Sequence, residues 1–93
     1  MKIDQFYATA VTYCGFGVLI RGPSGSGKSD LALRLIDDGA ALIADDQVVI
    51  KSVGQKLFLS PPDSLPGLIE VRGIGVIKIA YVRDIRLCLI IEL

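Results

Sequence analysis

The sequence predicts an α/β fold, a small mixed β-sheet with one strand–loop–helix unit set into it. Three observations lead there. Phe16–Arg21 (Phe-Gly-Val-Leu-Ile-Arg) is an apolar run of strand length, the pattern of a strand covered on both faces. Gly22-Pro23-Ser24-Gly25-Ser26-Gly27-Lys28-Ser29 follows it and fits G-x-x-x-x-G-K-[ST], the phosphate-binding P-loop. Ser29–Asp38 then places Leu31, Leu35 and Ile36, with Ala32 and Leu33 beside them, on one helical face, and Asp30, Arg34, Asp37 and Asp38 mostly on the rest.

The spelling of the loop follows from its chemistry. Glycines let the backbone turn successive N–H groups toward a phosphate, the Lys28 ammonium supplies a mobile positive charge, and the Ser29 hydroxyl is a ligand for Mg²⁺. A glycine–serine turn ahead of a helix is the bland alternative. At average glycine usage the full pattern arises by chance in so short a chain on the order of a few times in a thousand, and the preceding strand and following helix are the context the motif requires.

The remaining elements read in order. Phe6–Tyr13 is rich in β-branched and aromatic residues and predicts one strand, turned by Cys14–Gly17 into a hairpin with Phe16–Arg21. Gly39 is the expected helix stop. Ala40–Ala44 predicts a short strand, Gln47–Ser52 and Lys56–Leu59 a pair joined through Gly54-Gln55, and Pro61, Pro62, Pro66 and Gly67 a loop. In Leu68–Ile79 the glycines Gly73 and Gly75 interrupt a strand pattern and predict a bulge or a close backbone approach. Arg86–Leu93 reads as a buried strand on which the chain stops without turn residues or a polar tail, as a truncated chain would.

Ninety-three residues predict a single small domain over 1–93, and 52% hydrophobic residues with a mean hydropathy of +0.57 predict oligomerisation or membership of something larger. Ten basic residues balance ten acidic ones without charge runs, so no nucleic-acid footprint is present. No apolar run is long enough to span a membrane and Met1–Gln5 lacks a signal-peptide core, which predicts a cytoplasmic protein with no membrane partner. Cys14 and Cys88 have neither C-x-x-C spacing nor any histidine to partner them and read as reduced structural thiols.

A distance argument finds the rest of the site. Lys28–Asp38 carries the chain roughly 16 Å from the loop as helix, and Ala40–Ala44 returns it roughly 16 Å as strand. Asp45 and Asp46 therefore arrive back at phosphate level, where a carboxylate either holds Mg²⁺ or takes the proton from an attacking hydroxyl. Neighbouring side chains on a strand face opposite ways, so the two predict different roles unless the strand ends between them; a solvated turn is the bland alternative. Glu70 and Arg72, two apart beside Gly73, are a third candidate element, weighed against a surface ion pair, and Arg21 is placed to reach a phosphate.

Taken together, Gly17–Ile36, Ala44-Asp45-Asp46-Gln47-Val48 and Ile69-Glu70-Val71-Arg72-Gly73-Ile74-Gly75-Val76-Ile77 resemble the catalytic domain of the HPr kinase/phosphorylase family in its short form. The resemblance covers most of residues 6–93, and the Glu-x-Arg-Gly-x-Gly segment after an Ala-Asp-Asp is its discriminating part. It implies an HPr kinase/PEP carboxykinase-like fold, a hexamer, and transfer of phosphate from ATP to a serine of the phosphocarrier HPr of the bacterial sugar phosphotransferase system, with phosphorolysis in reverse. It also implies Asp46 as proton acceptor, Asp45 in support of the metal site, Ser29 and Glu70 on Mg²⁺, and Lys28 on the transferring phosphoryl. Where the family carries a histidine on the first strand, this chain has Tyr7, and the family's catalytic arginine falls beyond Leu93. Those departures define an alternative, a nucleotide-binding regulatory module without phosphotransfer. A P-loop kinase for a small metabolite is a third reading, disfavoured by the lack of a basic lid-like segment.

Overall fold

The computed structural model describes residues 1–64 and 66–93. In chain order its elements are β1 (Lys2–Tyr7), β2 (Thr9–Tyr13), β3 (Phe16–Arg21), α1 (Lys28–Asp37), β4 (Ala41–Ala44), β5 (Gln47–Val53), β6 (Lys56–Ser60), β7 (Leu68–Val71), β8 (Gly75–Lys78) and β9 (Ile85–Glu92). Seven strands form one mixed sheet in the order β1-β5-β6-β9-β3-β2-β4, and β7 and β8 form a separate antiparallel hairpin. Among the described residues the β3–β9 pairing is the one parallel pairing of named strands, with an isolated parallel bridge between Leu42 and Tyr81.

Alternation along the strands divides the core between the two faces of the sheet. Val11, Val18, Ile20, Ala32, Leu42 and Ile69 pack beneath α1 and the hairpin, whereas Ala10, Leu19, Ile43, Val48 and Leu59 pack on the other face. Neighbours in sequence thus fall into opposite clusters: Ala10 and Val11, Leu19 and Ile20, Leu42 and Ile43. The apolar run in β3 is explained by this, since it lies between β9 and β2 with both faces covered. Gly39, at φ 107°, follows the helix where the sequence places its stop, and Tyr13 donates to the Asp38 carboxylate at 2.7 Å, tying β2 to the helix end.

Four expectations need correction. Phe6–Tyr13 is two strands, because the chain breaks at Ala8: β1 crosses to pair with β5 while β2 pairs with β3 and β4. Ala8 is fully buried, and its N–H donates to the Asp46 carbonyl at 3.1 Å, continuing the β1–β5 register by one further contact. Gly73 and Gly75 form a hairpin turn rather than a bulge, with the Ile74 N–H donating to the Val71 carbonyl. β9 is hydrogen-bonded on both edges but open on its faces, with Leu89, Ile90 and Leu93 about half exposed. Both cysteines are free and exposed, so neither thiol serves the core.

Gly17, which the sequence reading places both at the end of the turn and within the strand, is the second residue of β3, where a Cβ would stand 2.4 Å from the Arg86 carbonyl oxygen of β9. Gly17→Ala is expected to lower stability by about 1–3 kcal/mol, measured by denaturant unfolding.

Asp84, at φ 57°, closes the other side of β9. Its carboxylate accepts from Lys51 Nζ at 3.1 Å and from the buried Ser60 hydroxyl at 3.0 Å, and its own N–H donates to Ser60 Oγ. The hydrogen bond from Lys51, then that from Ser60, holds its carboxyl below the ordinary value of 3.8. A depressed carboxyl contributes stability above its unfolded value and loses it as pH falls through the lower folded value. The stability gap between the parent protein and Asp84→Asn, whose asparagine tolerates the same backbone conformation, is therefore expected to close as pH drops below 3.8, followed by thermal unfolding across the acid range.

Candidate functional site

Gly22–Gly27 connects the end of β3 to the start of α1, and the helix opens at Lys28 directly after Gly27, whose φ of 98° is one that side-chain-bearing residues rarely adopt. Gly25 is also left-handed, at φ 82°. The fit is tight at Gly22, where a Cβ would come within 2.6 Å of Ser26 Oγ. Lys28 folds back over the loop and donates to the carbonyls of Gly22 at 2.9 Å and Pro23 at 3.1 Å. Its ammonium therefore sits at the loop on backbone oxygens, without a carboxylate to neutralise it. Ser26 Oγ is buried with no hydrogen-bond partner among the described residues.

β4 returns beside the loop, as the helix-and-strand distances require, and ends at Ala44. The alternation argument for the next two residues does not hold in its simple form, since neither Asp45 nor Asp46 lies within a strand and Asp46 takes φ 72°. The two nevertheless differ. The Asp45 carboxylate is half-buried and accepts three hydrogen bonds: Oδ1 from Thr9 Oγ1 at 2.9 Å and from Ser29 Oγ at 2.7 Å, and Oδ2 from the Glu70 backbone N–H at 3.0 Å. Asp46 is exposed and its carboxylate takes no part in that network.

These residues open onto one cleft of about 630 Å³, which brings together Lys28, Ser29, Asp45, Asp46, Glu70 and Arg72. Tyr7 stands at its rim, 79% exposed, and the proline-rich segment forms part of another wall. Arg21 is not among the lining residues and instead pairs with Glu92 at 3.1 Å. Among the described residues no cluster of three or more cysteine, aspartate or glutamate side chains forms a self-sufficient metal cage.

Thr9 is the one member of this network that the sequence reading did not single out. It is fully buried, and its place among the β-branched residues of a strand gives no sign that its hydroxyl faces a carboxylate of another strand.

Comparison with known proteins identifies the family. Residues 2–86 match the family model described as the HPr serine kinase C-terminal domain. The chain belongs to that family. It is similar to the HPr kinase/phosphorylase of Mycoplasmopsis pulmonis, 44% identical over 85 residues, which are 91% of this chain and 28% of the relative. It is likewise similar to that of Chlorobium limicola, 41% identical over 91 residues, again 28% of the relative. The chain therefore spans little more than a quarter of the length of those curated relatives. Its structure superimposes on that of the Hpr(Ser) kinase/phosphatase from Coxiella burnetii with a TM-score of 0.86 and 33% identity, covering 96% of this chain and 58% of the other. The HPr kinase fold is thus a mixed, mostly antiparallel sheet carrying one helix in this chain. No helix among the described residues is long and apolar enough to cross a membrane.

Replacing Asp45 by alanine would leave the buried Thr9 hydroxyl, the Ser29 hydroxyl and the Glu70 N–H without an acceptor. Asp45→Ala is expected to lose about 1–3 kcal/mol of stability in denaturant unfolding, and Asp46→Asn, which removes no such bond and tolerates the φ of 72° there, less than about 0.5 kcal/mol.

Proposed function

We propose that this domain binds ATP with Mg²⁺ at Gly22–Ser29 and transfers the terminal phosphoryl group to a serine of HPr, the reverse phosphorolysis using the same groups. The observation that carries the reading is the division of labour between the two aspartates. Asp45, with three donors on its oxygens, is committed to holding the site. Asp46, exposed in the same cleft and outside that network, is free to take a proton from an incoming serine hydroxyl. The left-handed backbone and the Ala8 N–H on its carbonyl hold its main chain in place.

The loop and its flanks fit the phosphate ligand. Lys28 needs only to leave two backbone carbonyls to reach a phosphoryl oxygen, and the partnerless Ser26 hydroxyl lies within the same loop. Ser29 gives its one hydroxyl hydrogen to Asp45, so its oxygen lone pairs are available to a cation. Glu70 lines the cleft as the second metal-facing oxygen donor. Lys28 and Arg72 there face the carboxylates Asp30, Asp45, Asp46 and Glu70, an excess of negative charge that would repel a bare polyphosphate and accept one accompanied by a divalent cation. When bound, Mg²⁺ supplies charge compensation for the phosphates; Lys28 stabilises charge on the moving phosphoryl group, and Asp46 holds the proton. The names of the relatives, HPr kinase/phosphorylase, support HPr as the phosphate acceptor. A cytoplasmic location and assembly into a hexamer accompany the reading, the latter consistent with the exposure of Ile3, Phe6, Leu89 and Ile90.

A second reading rests on Tyr7. The rim position that the family gives to a histidine is filled by a phenol, which carries no positive charge at neutral pH. The site would then bind nucleotide and report it without transfer.

Incubation of the protein with labelled ATP, Mg²⁺ and HPr separates the two. The kinase reading expects label on a serine, a fall of about 10²–10⁴-fold in transfer for Asp46→Asn with nucleotide affinity kept, and loss of nucleotide binding in Lys28→Ala. Nucleotide binding with no transfer selects the regulatory module.

A further inference from the structure

Thr9 is completely shielded from solvent, yet its hydroxyl reaches out of β2 to a residue beyond the end of β4. The same carboxylate oxygen, Asp45 Oδ1, accepts from Thr9 at 2.9 Å and from Ser29 at 2.7 Å. Ser29 lies in the first turn of α1, so one oxygen atom links the buried start of β2 to the helix that leaves the loop. Resting on the reading of Gly22–Ser29 as an ATP and Mg²⁺ site, we propose that Thr9 is a positioning residue for the cation: through Asp45 it fixes the direction in which the Ser29 hydroxyl presents its lone pairs.

The argument is one of hydrogen counting. A serine hydroxyl has one hydrogen and two lone pairs, and it serves a cation only through a lone pair. Donation to Asp45 turns the hydrogen away from the cleft, provided that the acceptor stays in place. Glu70 secures Oδ2 through a backbone N–H, but that contact alone leaves the carboxylate free to swing Oδ1 about it. The Thr9 hydroxyl is the contact that blocks this rotation. Its own orientation is restricted in turn, because a β-branched side chain on a strand has few χ1 choices and full burial leaves it no water to turn to. Thr9 lies in the floor of the cleft, fully shielded, and acts through Asp45. Its effect is that of an outer group on a metal ligand, a class of contact whose removal typically weakens metal affinity 10–100-fold.

The test uses the full chain and a fluorescent ATP analogue, with binding measured as Mg²⁺ is titrated and again with the metal chelated. Thr9→Val keeps the shape and removes the hydroxyl. It is expected to raise the Mg²⁺ concentration for half-maximal binding by about 10-fold, while metal-free binding changes by less than about twofold. Thr9→Ser, which restores a hydroxyl, should bring the Mg²⁺ dependence back most of the way. Thr9→Cys, with a weak donor in place of a strong one, should behave as the valine variant does and carries the test if valine is not accepted in the fold; unfolding without ligand checks that for each variant. A Mg²⁺ dependence equal to that of the parent in the valine and cysteine variants overturns the role of Thr9 and leaves the nucleotide site standing. Equal weakening with and without metal also overturns it, as that is the mark of a merely structural contact. Failure of the parent protein to bind the nucleotide at all overturns the functional reading and this inference with it.

Discussion

The Asp45 carboxylate ties together, by hydrogen bonds, three pieces of chain that also share one apolar core cluster. Thr9 comes from β2, Ser29 from α1 and the Glu70 N–H from β7, the first strand of a hairpin that is not part of the main sheet. Hydrogen bonds to a charged acceptor contribute more than neutral ones, about 1.5–3 kcal/mol each, and half-burial of the carboxylate places these toward the lower end of that range. The geometric consequence matters more than the energy. With Asp45 fixed, the loop after β3, the exit from β4 and the β7–β8 hairpin have set positions around a single cleft.

The break at Ala8 belongs to the same constraint. If β1 and β2 were one strand, alternation would continue through Ala8 and the chain would not bend to follow two partners. At the break Ala8 carries the β1–β5 register on to the Asp46 backbone, and Thr9, the first residue of β2, meets the Asp45 side chain. The two aspartates are thus approached from below by consecutive residues: Ala8 holds the main chain of one and Thr9 the side chain of the other. Tyr7, the last residue before the break, is left at the rim.

Much of this is legible in sequence, for a reason that differs by element. The strand, loop and helix from Phe16 to Asp37 are local: spacing, apolar run and glycine positions determine each within a few residues, and the structure places them as read. The return of Asp45 and Asp46 to the loop follows from rise per residue alone. The break at Ala8 does not, because Phe6–Tyr13 has strand-forming residues throughout and only tertiary partners decide that it pairs with two different neighbours. The Gly73–Gly75 turn is ambiguous in the same way, since glycine serves a bulge and a hairpin equally. Exposure of β9 and of both cysteines is invisible to composition, which records how apolar a residue is and not whether anything lies over it. Thr9 is the most instructive omission. A threonine in a strand is ordinary, and its significance lies in a hydroxyl meeting a carboxylate 36 residues away.

Burial divides the cleft into a floor and a rim with different physical duties. Thr9 and Asp45 in the floor are held by contacts that also support the fold, so their geometry varies little and substitutions there are felt as stability as well as function. Tyr7, Asp46, Glu70 and Arg72 are exposed at the rim, where a side chain changes without disturbing the core. A tyrosine at the position where relatives are expected to carry histidine is therefore compatible with an intact floor: the change alters the charge at the mouth and leaves the loop, Ser29 and Asp45 as they are. Under the proposed function, a change at the rim is therefore expected to alter transfer while leaving the floor that orients Ser29 intact.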